Sequence, residues 1–325
     1  MRPRSLPDWT KRLLIRVNRF PGTLERLEIV TNEDRLRLLG DEYRRPILTG
    51  QEGNDRIASL IAAGAPCMLS RVGLVELSCL RFFLRQRENG TPYGDKIRHA
   101  LGNNAGFFPL DDGSLDRFAA LYLDCLTDTD LLVTYLYRHE AEICNRFCPE
   151  AGLVHPTCLE PFWFTPPWSL ALAGKKVLVV YPFADTIESQ YRRKRRLLFA
   201  SPEILPPFEL RTLQAVQSIA GSPVGFASWF DAYRHMCEAM AGIDFDVCLI
   251  GAGAYGLPLA SFAKGLGKQA LHLGGLTQLL FGIKGKRWEE LYADSIATLF
   301  NEHWVRPAPS DTPKNAGAVE NGCYW

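Results

Sequence analysis

Arg71, Gly73 and Glu76 lie close together early in the chain, and Gly251, Gly253 and Gly256 much later; both sets have the types and spacing to handle a phosphate. A guanidinium offers phosphate or carboxylate oxygens a planar fork of donors, and a carboxylate serves as metal ligand, sugar-hydroxyl partner or general base. Gly73 lets backbone approach a ligand closely. An Arg–Glu pair locking the first turn of a helix explains the same spacing. The later glycines complete a G-x-G-x-x-G pattern directly after the apolar run Val247–Ile250, so a buried strand feeds a tight turn and then a helix from about Tyr255. Pro258 falls in the first turn of that helix, where a missing N–H costs no intrahelical bond. Free amides and the positive end of the helix would favour a diphosphate.

A dinucleotide site also needs an acid about 20 residues on, at the end of the next strand, to hold a ribose hydroxyl. Residues 269–273 form that strand, and it runs into Gly274 and Gly275 in place of Asp or Glu. A nucleotide or nucleotide-sugar phosphate site, a dinucleotide site and a purely structural turn are the three readings of the glycines. His272 lies inside the strand and reads as a hydrogen-bonded core residue rather than a ligand. His139-Glu140 lacks a second His at metalloprotease spacing, and no G-x-S-x-G elbow occurs.

These residues need strands to present them. Residues 67–70 form a short apolar strand that delivers Arg71 at its C-terminal end, where open parallel sheets bind ligands, with a helix returning over residues 77–87. Residues 177–181 are the clearest central strand and lead to Asp185. A helical pattern is expected from about residue 25 to 64, a loop over residues 90–113 with Ser114 capping the next helix, a strand over 131–136, and helices over 115–126, 140–147, 210–219 and 231–240, the last capped by Ser228. The Pro- and aromatic-rich residues 159–169 cannot form a long regular element and are a packed crossing segment or a pocket wall. Trp163, Trp168, Trp229 and Trp288 are sugar-stacking or packing residues. The alternation predicts an α/β fold, a doubly wound, mostly parallel Rossmann-like sheet with helices on both faces. The expected division is a helical N-terminal extension over residues 1–64, an α/β catalytic domain over 65–304 and an irregular tail over 305–325.

The 325 residues carry 37 Lys and Arg against 36 Asp and Glu, so no bulk charge draws the chain to nucleic acid. Nine cysteines without metal spacing read as reduced and buried. The start lacks a signal peptide's apolar core and no run of about 18 apolar residues is present, from which a cytoplasmic location is expected. Residues 9–20 combine Lys11, Arg12, Arg16 and Arg19 with Leu13, Leu14, Ile15 and Val17; they suit an anionic membrane surface or a helix packed with its basic face in water. The basic run over residues 192–196 is a solvated face or a phosphate-binding cluster.

R-x-G-x-x-E after an early strand, a later strand with its glycine turn and helix, and a second strand ending in Gly-Gly together resemble the GT-D type of glycosyltransferase, over about residues 65–290. Members of that group carry a strand-end R-x-G-D-G-E segment whose Asp and Glu help hold a divalent metal and the nucleotide-sugar diphosphate. Arg71, Gly73 and Glu76 match; Leu74 and Val75 stand where Asp and Gly would be, which removes one expected ligand of the metal. The resemblance implies a nucleotide-sugar donor, a UDP-sugar foremost, a Mn or Mg ion at Glu76, and transfer to a glycan or lipid-linked acceptor. Charge on the leaving diphosphate would be met by Gly251, Gly253 and Gly256, with Gly73, Gly274 and Gly275 allowing close approach and Lys284, Lys286 and Arg287 nearby. Glu76 is the first candidate base and Asp185 the second. An NAD(P)-dependent oxidoreductase and a non-catalytic nucleotide-binding protein are the rivals, and assembly with a second copy stays open.

Overall fold

Short apolar runs bounded by glycine or proline give eight strands: β1 (Ile47–Leu48), β2 (Cys67–Arg71), β3 (Leu131–Val133), β4 (Gly152–Val154), β5 (Lys176–Tyr181), β6 (Glu209–Gln214), β7 (Val247–Ile250) and β8 (Gln269–His272). The helices are α1 (Asp8–Val17), α2 (Asn32–Leu39), α3 (Gly50–Ala62), α4 (Leu74–Gln86), α5 (Asp95–Asn104), α6 (Asp112–Leu126), α7 (Glu140–Phe147), α8 (Ala184–Lys194), α9 (Trp229–Ala241), α10 (Gly256–Gly265), α11 (Leu276–Leu280) and α12 (Lys286–Leu291). This is a computed structural model, and it describes residues 6–17, 30–87, 90–312, 317 and 322–325.

The strands form one sheet in the order β1-β4-β3-β2-β8-β7-β5-β6. Every pairing is parallel, and Leu69 stands opposite both Leu131 and Leu271. Alternate strand residues feed two cores. Met68, Leu132, Val180 and Ile250 join α4, α6, α9 and α10 on one face, while Leu69, Val133, Val179 and Leu249 join α3, α8 and α11 on the other. The result is the doubly wound Rossmann-like sheet that the strand–helix alternation predicts.

Neighbouring strands β2 and β8 send their following helices to opposite faces, since Leu77 and Leu80 of α4 belong to the first core and Leu276, Leu279 and Leu280 of α11 to the second. Diverging connections open a crevice at the C-terminal strand ends. Arg71 and Gly274 meet there.

Several elements depart from expectation. Ile47–Leu48 is an edge strand paired with β4, so the α/β unit begins before residue 65 and the expected boundary falls inside it. Residues 209–214, expected as a helix, are an edge strand in register with all six residues of β5. Packing on β5 overrides the helix-like spacing of Leu210 and Leu213. The expected loop over residues 90–113 contains α5, tied down by buried Leu101 and by Arg98 bonding the Tyr93 carbonyl at 3.1 Å and pairing with Asp112. The next helix is capped by Asp111, whose side chain accepts from the Ser114 amide at 2.9 Å. The Pro-rich segment is a packed crossing: Trp168 is fully buried, its Nε1 donates to the Leu159 carbonyl at 2.9 Å, and Asn54 of α3 binds its amide.

In α1, Ile15 is buried and Lys11 pairs with Asp34 at 2.7 Å, whereas Trp9 and Leu13 stay 71% and 53% exposed. Arg19 and Phe20, like Leu24, Leu27 and Ile29, lie outside the described residues. Among the described residues no helix is long and apolar enough to cross a membrane. All nine cysteines are buried thiols. The basic run ends α8, with Arg192 paired to Glu188 and Arg195 donating to the Leu205 carbonyl. Because α8 runs antiparallel to β5, this places the run at the opposite end of the sheet from the crevice.

Candidate functional site

β2 ends at Arg71, and Gly73 caps α4 in extended conformation. The Arg71 guanidinium lies against Gly274, so closely that a Cβ there would run into Nη1. It also sits over the Tyr135 ring, 4.9 Å from the centroid. Tyr135 stacks on Tyr137 at 5.3 Å and 12°. Burial opposes the charge on Arg71, and Tyr135, Tyr137, Tyr324 and Glu76 favour it. Arg71 Nε is buried without a partner.

Glu76, 9% exposed, folds back over Gly73. Burial pushes its carboxyl up, against the pull of its own backbone amide and of Arg71. Among the described residues no ion pair joins Glu76 to Arg71, so the simple locking pair is not what forms.

The glycine turn divides its labour. Gly251 is packed: a Cβ there would strike the Gly274 carbonyl and the Tyr181 ring. Gly256 opens α10 against the His272 ring. Gly253 alone of the three has a positive φ, +53°, and open space beside it. Among the described residues no acceptor in the chain takes the N–H groups of Ala252, Gly253 and Ala254. Below the turn, Tyr122 donates to the Ala254 carbonyl at 2.5 Å.

His272 is 5% exposed; it bonds toward the Arg71 backbone, and its Nδ1 is partnerless. Burial and the Arg71 charge hold its pKa well below the usual imidazole range, so it is neutral at pH 7. His272 is thus a buried, hydrogen-bonded residue of β8 whose Nδ1 is left without a partner. Among the described residues seven buried side-chain polar atoms lack partners, and four of them, Arg71 Nε, His272 Nδ1, Thr277 Oγ1 and Trp288 Nε1, belong to residues around Gly274 and Gly275. Buried polar atoms are otherwise almost always satisfied, so this concentration makes the rim around Gly274 and Gly275 the candidate site.

The C-terminal residues close this rim. The Tyr324 ring lies against Gly275, where a Cβ would sit 3.0 Å away, and Trp288 flanks the same glycine at 3.4 Å. Arg287 stands over Tyr324 at 4.9 Å, and its Nη1 is 3.4 Å from the Tyr324 hydroxyl. The amides of Lys286 and Arg287 donate to the Trp325 and Cys323 carbonyls at 3.1 and 2.9 Å, so the tail caps α12. Gln278 holds the segment from below, accepting from Tyr181 at 2.8 Å and donating to the Tyr324 carbonyl at 3.3 Å.

The crevice thus gathers Arg71, Gly73, Glu76, the glycine turn, Gly274, Gly275 and Arg287. Asp185 is exposed in the first turn of α8, beside Asp311, whose carbonyl accepts from Trp325 Nε1 at 3.1 Å. Lys284 pairs its backbone with Val305. Two open grooves lie away from the rim: one of about 540 Å³ around Arg37, Arg44 and Thr49, the other of about 580 Å³ around His99, Phe108 and Phe226. The second reaches the glycine turn through Ser218, whose Oγ is 3.1 Å from the Tyr255 hydroxyl.

Glu140 is a residue the sequence did not single out. Fully buried, it accepts from the Tyr43 hydroxyl at 2.8 Å and the Tyr137 amide at 3.0 Å, with Thr134 Oγ1 at 3.0 Å, and so fixes the loop that carries Tyr135 and Tyr137. Glu140→Ala strands those donors and is expected to cost about 3 kcal/mol, read from urea unfolding.

The residues present do not fit the divalent ion that the resemblance implies. Leu74 is half-exposed where a carboxylate would be needed, Glu76 is folded onto its own helix end, and among the described residues no three His, Cys, Asp or Glu side chains converge. No step below runs through a metal.

Fold and site together define a doubly wound α/β protein with a cluster of buried, partnerless polar atoms at the C-terminal ends of its central strands. No known family's sequence profile matches the chain, and no curated protein does. Among solved structures it is similar to the selenomethionine-substituted domain of unknown function 1792, with TM-score 0.46 and 10% identity over 85% of this chain and 96% of that one. A second structure, of the highly conserved domain of unknown function 1792 described as having a distinct glycosyltransferase fold, gives TM-score 0.36 and 12% identity over 78% and 96%. Both likenesses are distant.

Proposed function

We propose that the chain is a glycosyltransferase that moves a sugar from a nucleoside-diphosphate donor, a UDP-sugar foremost, to a hydroxyl of a glycan or lipid-linked acceptor. The carrying observation is the cluster of partnerless polar atoms around Gly274 and Gly275, most of them donors, beside the untaken amides of Ala252, Gly253 and Ala254. Donors without acceptors select an anion, and the start of α10 adds its positive end. The nucleotide reading is favoured over a dinucleotide because β8 presents His272, Leu273 and Gly274 where a ribose-binding acid would stand.

In the reaction the acceptor oxygen attacks the anomeric carbon and the bond from that carbon to the phosphate oxygen breaks. The electron pair leaves with the diphosphate, stabilised by Arg71 and the turn amides. The acceptor proton passes to Glu76, whose raised pKa brings it nearer to neutrality than an ordinary glutamate. A thermal-shift panel of UDP, GDP, ADP and NADH tests the donor class: stabilisation by a nucleoside diphosphate and not by NADH is expected, and the reverse sinks the reading.

Glu76→Gln keeps the shape and removes the base. Transfer should fall by about 100-fold or more with melting temperature unchanged. Since the reactive form of Glu76 is deprotonated and its pKa lies above the usual carboxylate value, wild-type kcat/KM should rise with pH through that raised pKa, and the rise should vanish in the variant. Full activity in Glu76→Gln would remove the residue from the chemistry.

A further inference from the structure

We propose that this chain neutralises its diphosphate with two guanidinium groups, Arg71 from β2 and Arg287 from α12, seated at Gly274 and beside Gly275, and that no divalent cation takes part. The inference rests on the donor reading above and says how the donor's charge is met. A metal-bridged diphosphate needs several hard oxygen ligands, and among the described residues the crevice supplies one carboxylate, already turned onto its own helix amide. A fixed cation occupies the place instead: the Arg71 guanidinium lies against Gly274 and repels a second positive charge.

The other half comes from the C-terminal segment. Gly275 carries the Tyr324 and Trp288 rings as Gly274 carries Arg71, so the two glycines seat one wall each. Arg287 is fixed there by its amide bond to the Cys323 carbonyl, by the Tyr324 ring and by the Tyr324 hydroxyl. Two permanently charged, planar forks, Arg71 against Gly274 and Arg287 over the Tyr324 ring that packs on Gly275, suit two phosphates in series. Gly251, Gly256 and Gly274 are the close approaches that let these groups converge.

Isothermal titration of the full chain with UDP, once in EDTA and once in excess manganese, tests this. Affinity should agree within about twofold between the two, and Arg287→Ala should weaken it by about tenfold or more in both, as loss of a charge-assisted contact does. Should Arg287→Ala disturb the tail, seen as a lowered melting temperature, Arg287→Gln replaces it, and the manganese comparison uses the wild-type chain alone. Binding that appears only with manganese overturns the inference and leaves the donor reading standing. An Arg287 variant that folds and binds like wild type also overturns it. Absence of UDP binding in every arm removes both.

Discussion

Arg71→Ala is expected to lower UDP affinity by about 100-fold while leaving the fold as stable as before or more so. The two halves of that expectation have one cause. Arg71 is a charge largely withdrawn from water, with Nε unpartnered, and the Tyr135 ring and the Glu76 carboxylate offset its burial. Removing it relieves a desolvation cost in the empty protein and leaves the diphosphate without its fork in the loaded one. Arg71→Lys keeps the charge and loses the plane that spans Gly274 and the Tyr135 ring, so affinity should stay at least about tenfold low. Titration calorimetry and urea unfolding on the same samples read both quantities; a variant that loses stability and keeps affinity would make Arg71 a structural residue.

Gly251→Ala is expected to have the largest effect on stability, at least about 3 kcal/mol by urea unfolding. Its new methyl would collide with the Gly274 carbonyl and with the Tyr181 ring at 2.5 Å, and neither is a free chain end that can swing aside. Tyr181 is anchored through Gln278, and Gly274 donates to the Ile250 carbonyl at 3.1 Å. Gly253→Ala makes the contrasting case. Its Cβ meets nothing, so only the left-handed backbone at +53° resists, about 1 kcal/mol, while the methyl stands where a phosphate would approach. A much smaller stability loss with UDP binding abolished is expected there; equal losses in the two variants would mean that the turn is only a joint.

The central strands were legible because burial on both faces demands an unbroken apolar run, which residues 67–69, 177–180 and 247–250 have. The edges were not. Edge strand β1 and its inner neighbour β4 have two and three residues, too few to show a period, and β6, at the other edge, wears its leucines three apart on a strand with only one neighbour. Within the crevice, Arg71, Gly73, Glu76 and the glycines announced themselves through local spacing. Tyr135, Tyr324 and Glu140 did not, because their places depend on contacts across the sheet that no short motif encodes. Trp288 and His272 were visible as residue types, and what marks them, an unpaired nitrogen in a dry place, exists only after folding.

The pairing of β2 with β8 joins strands from opposite thirds of the sequence. Local structure on either side can condense early, but this seam must wait for a very long loop to close, and topology of that kind slows folding. The crevice lies on the seam. Refolding chains should therefore recover helical circular dichroism before they recover affinity, and a nucleotide added during refolding can reward only the last step, by holding shut a join it cannot help to find.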